Sequence, residues 1–328
     1  MKPWPLMTLA APVLLGAGAD MPQLGKPIAC TLGKDCAIQN YTDLDPSPAA
    51  SDFRCGSRTY DGHNGTDFRL HSMDQQRRGV AVLAAADGKV LRVRDGVPDV
   101  SVKEAGQSEA VAQAMCGNGL VIEHAGGLET QYCHMAKGSI AVRPGQQVKA
   151  GERIGLVGLS GNTEYPHLHM TVRKDGKVVD PFAYGATAGQ CGGGRSLWSA
   201  GSGLTGAYRP GEVLLTGFAT GPVTIASARE HGEAQRPAPD KSAPALVAFV
   251  QAMGLKAGDV QRLIVTGPDG SVLADNRAKP LEGDKAEWLI FTGRKRPATG
   301  WQSGRYEARY EVVRNGKALV SERFSVTL

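Results

Sequence analysis

Short apolar runs closed by glycine, proline, asparagine or aspartate constrain this chain more than any other feature of its sequence. Segments 80–84, 88–93, 119–123, 130–133, 152–157 and 167–173 each hold four to seven residues before such a breaker. Runs of that length fit strands and are too short for ordinary helices. Glycine and proline together fill 62 of the 328 positions, a density that suits a turn-rich, mainly β protein. One segment departs from the pattern. Residues 103–115 are rich in Ala, Glu and Gln, favour a helix, and read as an insertion between two strands.

The C-terminal half is also β. Tyr306, Ala308, Tyr310 and Val312 alternate with Arg305, Glu307, Arg309 and Glu311, the pattern of a half-buried antiparallel strand. Arg314-Asn-Gly-Lys317 is a type I′ hairpin signal, after which Val320, Glu322, Phe324, Val326 and Leu328 continue with period two. Segment 245–255 is so apolar that periodicity does not separate helix from strand. The turns at Gly258-Asp259 and Pro268-Asp269-Gly270, with a strand at 261–266 between them, favour a strand in the meander of a β-sandwich. Glycine-rich residues 185–206 look like a linker and divide the chain into two β-rich halves.

At the N-terminus, Lys2, an apolar stretch over 6–16 and the small residues Ala17-Gly18-Ala19 read as an export signal over 1–19. The apolar stretch is short for a bilayer and no later window approaches spanning length, so no stable membrane insertion is expected once the signal is removed. Six cysteines agree with an oxidising compartment. The expected pairs are Cys30 with Cys36, Cys116 with Cys133 across a hairpin, and Cys55 with Cys191; no CxxC supports a cysteine-bound metal. The formal net charge of +5 is mild and spread along the chain, which argues against a nucleic-acid partner.

Chemistry concentrates in the histidines. In Tyr60-Asp-Gly-His63-Asn-Gly-Thr-Asp67, a straight strand would hold positions four apart about 13 Å from each other, but the two glycines let the backbone turn so that imidazole and carboxylate converge. In Pro166-His167-Leu-His169-Met170 the two rings stand at i and i+2, on one face of a strand. Two imidazoles and one carboxylate make the ligand set of a hydrolytic zinc site with an open fourth position.

Between residues 60 and 184 the chain resembles the zinc peptidases of the lysostaphin and LytM type, family M23, which cut peptide bonds in bacterial peptidoglycan. The resemblance runs in order through Gly62-His63-Asn-Gly-Thr-Asp67-Phe68, Gly117-Asn-Gly-Leu-Val-Ile-Glu-His124 and Thr130-Gln-Tyr-Cys-His134-Met135. It continues through Gln146 to Gly151, Ile154-Gly-Leu-Val-Gly158, Ser160-Gly-Asn162, His167-Leu-His169 and Asp180-Pro181. It implies one zinc ion per chain on His63, Asp67 and His169, with His134 and His167 as unligated catalytic histidines. No HExxH glutamate is present to act as base, so His134 or His167 would accept the proton of water. His124, placed opposite His134 in its hairpin, is read as structural or as a neighbour of the site.

These readings divide the chain into a signal (1–19), an N-terminal extension with a disulfide (20–59), an antiparallel LytM-type peptidase domain (60–190), a linker (191–206) and an immunoglobulin-like β-sandwich (207–328). The resemblance implies an exported, periplasmic metallo-endopeptidase acting on peptidoglycan stem peptides and cross-bridges; secreted or wall-associated placement is the alternative. Two rival readings are an inactive wall-binding or amidase-regulating module and a peptidase of exported proteins. Complete ligand positions weigh against the first.

Overall fold

The computed structural model describes residues 20–103, 111, 113–190, 192–206, 208–232 and 237–328. The expected signal, most of the 103–115 insertion and Cys191 lie outside them.

Ten strands belong to the first domain: β1 (Cys36–Ile38), β2 (Thr66–Leu70), β3 (Ala81–Leu83), β4 (Gly88–Arg94), β5 (Asn118–His124), β6 (Leu128–Met135), β7 (Gln147–Val148), β8 (Arg153–Leu156), β9 (His167–Lys174) and β10 (Lys177–Val179). Their antiparallel sheet runs β1-β2-β9-β6-β5-β4-β7, with β10 on β9, while β3 and β8 form a separate ribbon. Six of the ten strands, β3, β4, β5, β6, β8 and β9, lie within two residues of the runs expected from the sequence, whereas β1, β2, β7 and β10 are not anticipated from it. A short helix not anticipated from the sequence, α1 (Met73–Arg78), follows β2, its N-terminus capped by the Ser72 side chain.

Residues 20–59 are part of this domain's fabric. Strand β1 extends the main sheet, and Leu24, Ile28 and Tyr41 are buried in its core. Part of the glycine-rich stretch expected as a linker also packs there. Leu197 and Trp198 are buried, and backbone bonds at 2.7 and 2.8 Å join Leu24 to Leu197 and Ser199. Two apolar side chains outweigh the composition of their neighbours.

The second domain contains β11 (Glu212–Ala219), helix α2 (Ile225–His231), β12 (Ala245–Leu255), β13 (Val260–Thr266), β14 (Val272–Arg277), β15 (Lys285–Lys295), β16 (Arg305–Arg314) and β17 (Lys317–Thr327). A three-stranded sheet β11-β12-β15 and a four-stranded sheet β14-β13-β16-β17 enclose one core. Tyr306, Ala308, Tyr310 and Val312 all point into that core, as their alternation requires. Asn315 and Gly316 take φ of 51° and 75°, the left-handed pair of a type I′ turn.

Strand β12 explains its own lack of periodicity. Leu246, Ala248, Val250 and Ala252 face the second core, whereas Phe249 and Met253 join a third cluster with Leu214, Ala228 of α2 and Ala37 of the first domain. A strand covered on both faces has no reason to alternate. The two domains therefore meet through the outer face of the three-stranded sheet. Arg58 is buried at this junction and donates to the carbonyls of Gln39, Ile38 and Arg209.

Candidate functional site

Strand register assembles the site. Asp67 of β2 lies directly opposite His169 of β9, and Arg69 opposite His167. Side chains facing each other across an antiparallel pair share a face, and the i, i+2 spacing adds His167 to the same side. On the other flank β9 pairs with β6, with Cys133 opposite His169, which brings His134 alongside. His63 comes from the turn before β2, where Gly62 adopts φ 73°. Gly65 in that turn lies so close to β9 that an added Cβ would stand 2.6 Å from the Met170 carbonyl oxygen and 2.7 Å from His169 Nε2.

The resulting distances are short. His63 Nε2 lies 3.2 Å from Asp67 Oδ2 and 3.2 Å from His169 Nδ1, and His169 Nδ1 lies 2.8 Å from Asp67 Oδ1. Tetrahedral zinc bonds of about 2.0–2.1 Å separate neighbouring donor atoms by about 3.3 Å, so these three donors match the spacing such an ion needs. His167 Nε2 is 3.5 Å from Asp67 Oδ1, and the His134 ring centre is 4.6 Å from that of His167. All five residues named from the sequence thus converge on one point.

An outer ring of acceptors and donors orients them. His63 Nδ1 donates to the Tyr41 carbonyl at 2.7 Å, leaving Nε2 for the centre. His169 Nε2 is 3.1 Å from both Asn64 Oδ1 and Thr171 Oγ1, leaving Nδ1 for the centre. Asn40 Nδ2 donates to Asp67 Oδ2 at 2.8 Å. His134 Nδ1 donates to the Ser160 carbonyl at 2.7 Å, and His167 Nδ1 to the Tyr165 carbonyl at 3.0 Å. Each of these two rings therefore commits an Nδ1–H to a backbone carbonyl and turns Nε2 toward the centre.

His134 is held in a conformation that few non-glycine residues adopt, with φ 60°. Its N–H donates to the Cys116 carbonyl at 2.8 Å and its own carbonyl accepts from Gly158 at 2.9 Å. The Cys116–Cys133 disulfide closes beside it, so the strain is pinned from three sides. Cys30 and Cys36 are also bonded, as expected; Cys55 is disulfide-bonded too, while its expected partner Cys191 lies outside the described residues.

Burial opposes charge throughout the site, and its outcome differs by residue. Although burial works against its ionisation, the His63 and His167 rings hold the Asp67 carboxyl well below the usual carboxylate range. Burial, reinforced by His167 and His169, pushes His134 well below the ordinary histidine value, which keeps it neutral at pH 7.

His124 is not opposite His134. Asn118 pairs with Met135 and His124 with Leu128, which places His124 at the turn end of the hairpin. There it bonds the Asp87 carbonyl and Thr130 Oγ1, a structural role. Among the described residues, two further groups bring three potential metal donors together. In one, Cys30 and Cys36 are already bonded to each other. In the other, Asp74, Glu230 and His231, Arg77 pairs with both acids. Sequence reasoning missed Asn40, Tyr41, Tyr165 and Thr163, whose Oγ1 lies 3.1 Å from His167 Nδ1, since nothing in their local pattern marks them.

A family model described as Peptidase family M23 matches residues 61–181. The peptidoglycan DD-endopeptidase ShyB of Vibrio cholerae is 36% identical over 118 residues, which is 36% of this chain and 22% of that protein. The cell division protein DipM of Caulobacter vibrioides is 33% identical over 127 residues, 37% of this chain and 18% of that protein. The chain thus spans about a fifth of the length of these curated relatives. A crystal structure of a zinc-containing peptidase from Vibrio cholerae is 28% identical, covering 49% of this chain and 39% of that one at a TM-score of 0.33.

Proposed function

From residues 61–181 belonging to peptidase family M23, we propose that the protein is an exported zinc endopeptidase that hydrolyses peptide cross-links of bacterial peptidoglycan. The single observation that carries the zinc site is the 2.8–3.2 Å convergence of His63, Asp67 and His169 donor atoms, each already oriented by an outer partner. Those three side chains would hold the ion. When bound, zinc supplies Lewis acidity to the scissile carbonyl and acidifies water.

The remaining chemistry falls to the chain itself. His134 and His167 turn Nε2 toward the centre, each with Nδ1 committed to a backbone carbonyl. One takes the proton of the attacking water at Nε2, and the imidazolium so formed returns it to the leaving amine. While it holds that proton, the same imidazolium N–H stabilises the developing oxyanion. Burial of both rings keeps bulk water from competing for these bonds. Peptidoglycan as substrate is supported by the relatives named as DD-endopeptidases, and export by residues 1–19 and the two described disulfides. Among the described residues no helix is long and apolar enough to cross a membrane.

The test is digestion of purified sacculi by the zinc-loaded protein, with mass spectrometry of the released muropeptides before and after chelation. Loss of cross-linked dimers that chelator abolishes and zinc restores is expected. Cross-links left intact by protein carrying one zinc per chain would overturn the reading.

A further inference from the structure

We infer that the C-terminal domain takes part in the reaction: its Glu287 is a positioning residue that, through Arg69, Arg229 and Tyr165, holds His167 in the tautomer able to accept a proton. This rests on the reading of His167 as a proton acceptor given above.

The contacts form an unbroken chain. Arg69 is 1% exposed and is the cross-strand neighbour of His167. A guanidinium buried that deeply needs a counter-charge. Among the described residues of the first domain, Gln39 Oε1, which carries no charge, accepts from it at 2.8 Å. The charge comes from the other domain, where both carboxylate oxygens of Glu287 on β15 accept from Arg69 at 3.0 and 3.1 Å. The same carboxylate accepts twice from Arg229 of α2, at 3.1 Å each. Glu287 thereby fixes two guanidinium groups, and both face one aromatic ring. Arg69 lies 4.2 Å and Arg229 5.7 Å from the centre of the Tyr165 ring. Arg229 also donates to the Glu164 carbonyl at 2.9 Å, a second hold on the same segment.

Tyr165 passes this restraint to the site by two routes. Its carbonyl accepts the His167 Nδ1 proton, and its ring packs on the His167 ring at 4.9 Å between centres. With Nδ1–H given to that carbonyl, and Thr163 Oγ1 a further 3.1 Å acceptor beside it, Nε2 is the nitrogen left facing Asp67. A slack 163–165 segment would let the neutral ring carry its proton on either nitrogen and rotate away from the reacting carbonyl. Beside Tyr165 the domains leave a cleft of about 640 Å³, lined by Asn40, Tyr60, Lys285 and Glu287 among others.

The test uses the full zinc-loaded chain and a purified cross-linked muropeptide dimer. Glu287→Gln should lower kcat about tenfold or more, within the range that base catalysis and its orientation supply. KM and zinc content should stay within about twofold of wild type, because substrate and metal contacts are untouched. Glu287→Asp should recover part of the loss. In a His167→Ala background Glu287→Gln should cost nothing further; an equal loss in both backgrounds would overturn the inference. The ¹⁵N shifts of the His167 ring give a readout independent of turnover. They should show a protonated Nδ1 and bare Nε2 in wild type and averaged values in Glu287→Gln. Unchanged shifts would refute positioning even if activity fell. A wild-type protein that leaves the dimer uncut while its His167 shifts respond to Glu287→Gln would sink the substrate reading and leave the positioning intact. Arg229→Met keeps the Arg69–Glu287 pair and so remains informative if Glu287→Gln does not fold. It should lower kcat about threefold or more with the same shift changes, and its failure to do either would refute the inference.

Discussion

Replacing Asn40 with alanine should weaken zinc binding about tenfold or more while leaving the fold in place. Asn40 Nδ2 donates at 2.8 Å to Asp67 Oδ2, a carboxylate that is 2% exposed and has little water to fall back on. A hydrogen bond to a charged group contributes about 1.5–3 kcal/mol, which at about 1.4 kcal/mol per decade corresponds to roughly 10- to 150-fold in affinity. Removing an outer partner of a metal ligand typically costs about 10- to 100-fold, an independent route to the same range. The backbone should not follow the side chain, because the Asn40 carbonyl still accepts from the Asp67 amide at 2.9 Å. The measurement is competition for zinc against a chromophoric chelator, alongside thermal unfolding of the metal-free chain. Zinc affinity within about twofold of wild type would refute the reasoning. So would unchanged affinity with a lowered Tm, since the bond would then serve the fold rather than the metal centre.

His169→Ala should abolish zinc retention measured by elemental analysis, whereas His167→Ala should retain zinc and lose most turnover on sacculi, because only the first donates one of the three converging atoms. Gly65→Ala should cost about 1–3 kcal/mol of stability by urea unfolding and about tenfold or more in zinc affinity, since the new Cβ meets the Met170 carbonyl at 2.6 Å and the His169 ring at 2.7 Å. His71 titrates near about 4 in the fold, pushed down by burial and then by Arg69. The unfolded chain protonates it near about 6.5. The unfolded state therefore binds the extra proton first, and stability falls as pH drops from about 6.5 to 4. Between pH 7 and 4.5 the wild type should lose about 2.5 kcal/mol more than His71→Leu in urea midpoints converted at constant m; parallel pH profiles would exclude this contribution.

Much of the β architecture, the His63–Asp67 turn and the His167–His169 pair could be read from local pattern, whereas His134 came only with the family resemblance. Breakers mark strand ends where they reverse the chain, as at Gly126-Gly127 and Asp175-Gly176, although Gly119, Gly155 and Gly293 pair within strands. Asn315-Gly316 specifies its turn through two left-handed residues and needs no distant partner. The spacing of His167 and His169 puts both rings on one face of any strand. What failed depends on contacts remote in sequence. His124 was misplaced because the hairpin turns at 125–127, which pairs His124 with Leu128 and leaves His134 at the far end near Asn118, and register is a property of two strands together. Helices α1 and α2 hold six and seven residues, too few to stand out, and are held by side-chain caps at Ser72 and Thr224. The extent of β12 was readable but its burial on both faces was not, since its second cover comes from α2 and the first domain.

By itself, then, the sequence determined the class of fold, because turn preferences and strand periodicity act within a few residues, and, through its resemblance to a known family, the candidate side chains for the chemistry. Only the tertiary structure decided that Asp67 stands opposite His169 and that Asn40 and Tyr41 from the N-terminal extension orient the metal-binding candidates. It alone brought Glu287 to Arg69 across 218 positions of chain. Those pairings follow from strand register and from the burial of a charge that its own domain leaves uncompensated, and both are set by the packing of the whole molecule.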